Sequence, residues 1–307
     1  MPEIYPISSG KGGVGKSFVT ASLGGLLAKM GKNVVLVDLD LGASNLHTFL
    51  GIKNPKNGMN SFLNKTVKSL EDVTVPTIIP NLFFISSSYC SMEIANLYYF
   101  QKLKIINAIR KLPFDNILLD LGSGTNFNTL DFFLISNKGI FICTPEPTSI
   151  ENSLRFVKAA YLRKLKQIIK RHAFNSVVKS TVDSPNNVAI KSPDIIEAVL
   201  KNDPNREKFL LNKLNEIKFK FIINKFRKNK DANIGKKIET VCNRHFYSNF
   251  QFLGNIRYDE WIHDAIVSKE VYVQKYPYTK SSIDMKKIAD KITLSQYPLN
   301  QKYHEKL

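Results

Sequence analysis

The stretch Gly10-Lys11-Gly12-Gly13-Val14-Gly15-Lys16-Ser17 has the residue types and spacing to hold a polyphosphate. It fits G-x-x-x-x-G-K-[ST] in full. Its glycines let the backbone curl until successive N–H groups face phosphate oxygens. A helix beginning at Lys16 adds the partial positive charge of its N-terminus. Lys16 is expected to reach the β- and γ-phosphates, Ser17 to offer its hydroxyl to Mg²⁺, and Phe18 to continue the nucleotide-binding stretch. Two later aspartates fit the same chemistry. Asp38 ends "NVVLVD" and Asp120 lies in "NILLDL", at strand ends where an open parallel sheet presents its ligand. Mg²⁺ in phosphate sites keeps several waters and takes few carboxylates. Asp120 matches a Walker B carboxylate, and Asp38 is placed to hold a second metal-bound water. Asp40, in the loop "DLGASN", is placed to orient an attacking water. Lys11, a second lysine within the loop, has no task in this set.

These residues need a strand before the loop, a helix after it, and strands ending at each aspartate. "EIYPI" is the expected first strand, with Pro6 at its start or at a bulge, because proline cannot donate to a ladder. Residues 16–30 have helical composition, ended by Gly31. Gly24 and Gly25 within it point to close packing. Apolar runs at 33–38, 81–86, 116–121, 139–144, 218–224 and 250–255 have buried-strand character. Helical patterns cover 98–112, with Leu103, Ile106, Ala108, Ile109 and Leu112 inward, then 129–136, 149–172, 231–245, 259–269 and 280–293. This alternation implies an α/β fold: a doubly wound, mostly parallel sheet with helices on both faces. Residues 173–215 break the rhythm and are expected to form a helical insertion. The expected organisation is one domain over 1–295 and a polar tail over 296–307.

The 307 residues carry a formal net charge of +18. Such a charge favours anionic surfaces or simply decorates an ordinary one. No apolar run reaches the roughly 18 residues of a membrane span, and the N-terminus lacks a signal-peptide pattern. Cys90, Cys143 and Cys242 are scattered, which points to a reducing compartment without disulfides or an iron–sulfur scaffold. Cys143 is expected to be buried, and His47 to be structural or partner-facing. Leu154, Val157, Tyr161, Leu165 and Ile168 line one side of a strongly basic helix, expected to cover the sheet with its charged side outward.

"KGGVGKS", with "VDLDLGASNLH" about twenty residues on, resembles the deviant Walker A ATPases of the MinD/ParA family. The resemblance implies a P-loop NTPase fold, ATP and Mg²⁺ as ligands, and slow, partner-stimulated hydrolysis. It also gives Lys11 a task. In that family two subunits sandwich two ATP molecules, and the signature lysine crosses to phosphates bound by the other subunit. Such a group acts like an arginine finger in trans, worth roughly 10³–10⁵ in rate. The resemblance places Asn224 against adenine. It matches "GNIRYD" to a loop beside the base, where Arg257 stands in place of the family's proline. The GTPase N-K-x-D pattern fails at Arg227, which favours ATP.

Within the family, "TPEPTSIENS" (144–153), "NTLDFF" and "SSSYCSMEIANL" (86–97) are similar to the flagellar-number regulators FlhG, FleN and YlxH. That branch implies an ATP-dependent homodimer that controls flagellar number or placement. Its partner would be a flagellar GTPase or basal-body component. The expected location is cytoplasmic, with weak contact at the inner face of the cell membrane; sequence-specific nucleic-acid binding is not expected. MinD-type septum placement and ParA-type partition share the chemistry and stand as alternatives. A non-hydrolysing adaptor is an alternative of another class, against which the full set of site residues argues. The membrane-inserting C-terminal helix typical of MinD has no clear counterpart: Met285, Ile288 and Ile292 have the spacing of core residues.

Overall fold

The computed structural model describes residues 2–87, 97–171, 204–227, 231–246 and 248–294. Most of the insertion, most of the 86–97 segment, Cys90 and the 296–307 tail lie outside them. The elements are, in order, β1 (Glu3–Ser9), α1 (Lys16–Lys29), β2 (Val34–Leu39), α2 (Leu46–Phe49), α3 (Met59–Leu63), β3 (Val75–Pro76), β4 (Leu82–Ile85), α4 (Tyr99–Ile109), β5 (Asn116–Ser123), α5 (Phe127–Phe133), β6 (Ile140–Cys143), α6 (Pro147–Arg171), α7 (Pro204–Asn215), β7 (Lys220–Phe226), α8 (Ile234–His245), β8 (Gln251–Arg257), α9 (Trp261–Val267), α10 (Tyr272–Lys275) and α11 (Lys280–Leu294).

The strands form one sheet in the order β3-β4-β2-β5-β1-β6-β7-β8. All neighbours are parallel except the short edge strand β3, which runs antiparallel to β4. Alternation along each strand divides the core in two. Val35, Val37, Ile117, Leu119, Phe141 and Phe221 face α3 to α8. Val34, Leu36, Leu118, Ile142 and Ile222 face α1, α2 and α9 to α11. Asp38 continues the Val34–Leu36 side, Asp120 the Leu118 side and Asn224 the Ile222 side. All three are thereby directed toward the face that carries α1.

α1 packs unusually close to the sheet. A Cβ at Gly24 would lie 2.6 Å from Leu36 Cδ2, which accounts for a residue that otherwise weakens a helix interior. Met285, Ile288 and Ile292 of α11 are buried in the same layer, as their spacing suggests. On the opposite face Val157, Tyr161, Leu165 and Ile168 of α6 are buried, so this basic helix covers the sheet.

Two expectations are corrected. Pro6 lies within β1, paired with Leu119. Glu3 N donates to Asp115 O on the β5 side, so by alternation Pro6 faces β6. The ladder with β6 begins only at Ile7, and the missing N–H therefore breaks no bond. On α4 the buried positions are Lys102, Ile105 and Ile109, with Leu112 beyond its end, whereas Leu103, Ile106 and Ala108 are half-buried. A buried lysine displaces the apolar stripe because Asp131 of α5 receives it. Among the described residues no helix is long and apolar enough to cross a membrane.

Candidate functional site

The glycine loop joins the end of β1 to the start of α1. Gly13 and Gly15 adopt left-handed φ values of 75° and 92°, which glycine enters without steric cost. Gly15 is also crowded: an added Cβ would sit 2.5 Å from Asn224 Nδ2. Ser9 Oγ donates to Lys11 O over 2.8 Å. Lys16 and Ser17 are buried against the strands, while Lys11 is exposed.

Asp38 and Asp120 stand opposite each other in the β2–β5 register. Both are essentially inaccessible to solvent. They are supplied with donors very differently. Asp38 Oδ2 accepts from Ser44 Oγ (2.7 Å) and Leu46 N (3.3 Å), and Oδ1 accepts from Asp40 N (3.0 Å) and Ser87 Oγ (3.4 Å). Asp120 Oδ1 has a long contact from Thr20 Oγ1 at 3.4 Å, while Oδ2 has no hydrogen-bond partner. Burial pushes Asp120 up to about 7, and the charge on Asp38 adds to this; Ser17 and Lys16 oppose it. Burial likewise raises Asp38 to about 6, against its hydrogen bonds. A buried carboxylate oxygen without a donor, facing a serine hydroxyl and a lysine, suits a hard divalent cation or its bound water. Ser17, Asp38 and Asp120 therefore fit Mg²⁺, whose remaining ligands would come from water and phosphate.

A cavity of about 420 Å³ runs from Gly13, Lys16 and Phe18 past Phe49 and Asn224 to Tyr258 and Ile262. The volume suits a nucleoside. Asn224 lines it, with Nδ2 donating to Val14 O over 2.8 Å. Arg257 lines it too, but its guanidinium is engaged elsewhere. Nε donates to Asp284 Oδ2 and Nη2 to Asp284 Oδ1, both over 2.7 Å. The guanidinium thus ties β8 to α11. Next to it, Arg227 lies 4.2 Å from the centre of the Tyr258 ring.

Asp40 faces a second cavity, of about 730 Å³, bounded by Ala43, Lys102, Ser123, Phe127 and Thr129. A Cβ at Gly122 would lie 3.4 Å from Asp40 Oδ1 and 3.6 Å from Thr129 Oγ1, so these three residues converge. Behind this cavity Asp131 joins Lys102 and accepts from Arg163 Nε (2.5 Å) and Nη2 (2.9 Å). Its carboxyl is held below the usual carboxylate range: burial works against this, but the two cations prevail.

His47 is half-buried on α2, with Nδ1 lacking a partner and its basicity lowered by burial. Cys143 is buried, and burial pushes its thiol up to about 12, which removes it as a nucleophile. The sequence reading missed Thr20, Ser44, Ser87, Lys225, Tyr258 and Asp284. Thr20 was within reach, since it lies one helical turn from Lys16 and shares its face. Ser44, Lys225 and Tyr258 lie beside Asp40, Asn224 and Arg257 in stretches already singled out, whereas Ser87 and Asp284 arrive from distant segments without a local signature.

A family model described as the CobQ/CobB/MinD/ParA nucleotide binding domain matches residues 6–272. The septum site-determining protein MinD of Helicobacter pylori is 35% identical over 159 residues, which are 51% of this chain and 58% of that protein. The MinD of Thermotoga maritima is 29% identical, again over 58% of its length. The chain thus spans a little over half the length of these relatives. The antiactivator FleN of Pseudomonas aeruginosa is 22% identical over 98% of this chain and 90% of its own. Among solved structures, MinD of Pyrococcus horikoshii complexed with Mg-ADP superposes with a TM-score of 0.60 at 20% identity, over 95% of this chain and 96% of that one. A plasmid partition protein of Borrelia burgdorferi bound to AMPPNP gives a TM-score of 0.60 at 22% identity, over 97% of this chain and all of that one.

Proposed function

This chain belongs to the CobQ/CobB/MinD/ParA nucleotide-binding family, and from that premise we propose that it is an ATP-driven dimerisation switch acting on flagellar number or placement. The observation that carries the switch is the division of labour between two lysines. Lys16, Ser17, Asp38 and Asp120 form a complete set within one subunit, and exposed Lys11 stands outside it. Lys16 and the loop N–H groups hold the phosphates. Ser17, Asp38 and Asp120 would hold Mg²⁺, which supplies charge neutralisation on the phosphate oxygens. Asp40, in a cavity apart from the metal carboxylates, accepts a hydrogen bond from water and aims it. Lys11 reaches the nucleotide of a second subunit. Hydrolysis thereby depends on assembly, and each turnover resets the dimer. Asn224 and the cavity beyond it receive the base.

The flagellar assignment is supported by the full-length likeness to FleN together with "PEPTSI" and "NTLDFF". The partner is then a flagellar GTPase or basal-body component, met in the cytoplasm or at the inner face of the membrane. The MinD and partition relatives favour a second reading, placement of septa or of DNA.

Size-exclusion with light scattering tests the switch. With ATP, Asp40→Ala should accumulate as a dimer with slowed hydrolysis, and Lys11→Ala should bind ATP yet stay monomeric. A Lys11→Ala protein that dimerises with ATP overturns the trans role. Counting flagella in a deletion strain tests the biology; normal flagella with minicells or anucleate cells would transfer the switch to division or partition.

A further inference from the structure

β7 ends irregularly. Ile223 pairs with Asn255 and Phe226 with Arg257, so β7 spends three residues where β8 spends two. The extra residue lies in Asn224–Lys225, and Lys225 takes a φ of 55°. Left-handed backbone is unfavourable for a residue with a Cβ and persists where the surroundings hold it. Glycine is the residue that enters this region without steric cost. Lys65, Asn81 and Lys269 share a positive φ, but of these four only Lys225 lines the nucleotide cavity.

The side chain shows what the strained position gains. Lys225 Nζ donates to Gly13 O over 2.8 Å, just as Asn224 Nδ2 donates to Val14 O over 2.8 Å. Two adjacent residues of β7 thus hold two adjacent carbonyls of the glycine loop. A phosphate cradle needs its N–H groups turned inward and its carbonyls turned away, because a carbonyl dipole repels phosphate. Glycine at Gly13 leaves that peptide free to flip unless something holds it. Replacing Lys225 with glycine would relieve the backbone but remove the ammonium.

We propose that Lys225 is a positioning residue for the nucleotide: its ammonium, anchored on the Gly13 carbonyl, holds the phosphate loop in its binding conformation before the nucleotide arrives. This rests on the nucleotide-binding reading above and adds a residue outside the loop to it.

Calorimetric titration with Mg-ADP and Mg-AMPPNP, paired with thermal melting, tests the clamp on wild type, Lys225→Gly, Lys225→Arg and Lys16→Ala. Lys225→Gly should melt at or above the wild-type temperature yet bind both nucleotides about threefold more weakly, the equivalent of one solvent-exposed hydrogen bond from a charged donor. Lys225→Arg keeps a donor and should recover most of the affinity. Wild-type affinity in Lys225→Gly overturns the proposal. A loss confined to Mg-AMPPNP also overturns it, since Lys225 would then be a direct γ-phosphate ligand. So does a fall in both melting temperature and affinity that arginine fails to rescue, which marks a purely architectural residue. In each of these cases Lys16→Ala still loses binding and the nucleotide reading stands. A wild-type protein that binds neither nucleotide overturns both.

Discussion

Two charge clusters, one half-buried between helices and one buried at the strand ends, are built on opposite principles. Behind the Asp40 cavity, Asp131 is met by Lys102 and by both nitrogens of one edge of Arg163. At the strand ends, Asp120 is buried beside Asp38, keeps one oxygen without a partner, and is pushed up to about 7. The first cluster is complete within the chain. The second is completed only by something from outside. Buried carboxylates elsewhere are expected to be paired. The contrast marks one cluster as architecture and fits the other to the proposed role of receiving cation and phosphate.

The largest expected effect comes from breaking the complete cluster. Asp131→Leu leaves buried Lys102 with only a long bond to Asn128 Oδ1 in place of its anion and should lower unfolding free energy by about 3 kcal/mol, measured by urea denaturation. Removing the lysine as well, in Lys102→Met/Asp131→Leu, should restore most of it, because Arg163 can turn to solvent. A single variant within about 1 kcal/mol of wild type would end the distinction between the clusters.

The incomplete cluster should respond in the opposite sense. The folded protein keeps a proton on Asp120 that the unfolded chain releases above its ordinary value of 3.8. Wild-type stability contributed by this group therefore falls as pH rises from about 4 towards about 7. Without nucleotide, Asp120→Asn should be more stable than wild type by roughly 2 kcal/mol at pH 8, with the difference vanishing near pH 4. It should also lose the Mg²⁺ dependence of nucleotide binding. Parallel stability–pH curves for the two proteins would contradict the assignment. Asp131 has the reverse linkage. Its depressed folded value gives stability that is present above the ordinary carboxylate range and lost as pH falls below about 4. The gap between wild type and Asp131→Leu should narrow there. The smallest effect is expected from Thr20→Val, which removes a 2.9 Å hydrogen bond to Lys16 O and a 3.4 Å contact to Asp120 and should cost about 1 kcal/mol in the same denaturation assay.

Why the sequence discloses one cluster and hides the other follows from how each is assembled. Lys16 and Ser17 sit next to each other directly after a loop whose glycines announce its shape, and each aspartate lies in or at the end of an apolar run of buried-strand character. Their meeting follows from strand order alone. Lys102, Asp131 and Arg163 come from three helices, and each resembles an ordinary surface charge in its own segment. The expected apolar face of α4 passed over Lys102 for this reason. Lys225 escaped notice on other grounds. Its backbone conformation depends on a register slip against β8, and strand-like composition carries no sign of it. Arg257 shows the limit of carrying a position over from relatives: it lines the cavity, while its guanidinium serves Asp284.

The hydrogen bonds of Asp38 have a consequence beyond its own burial. Three of its four donors, at residues 40, 44 and 46, belong to the loop after β2 and the first residue of α2. That loop carries Asp40 to one cavity and Asn45 to the wall of the other. A single latch thus secures two doors. With the latch closed, the wall of one cavity and the carboxylate lining the other are set together. Under the proposed function, recognising the nucleotide and cutting it would then depend on one shared set of hydrogen bonds.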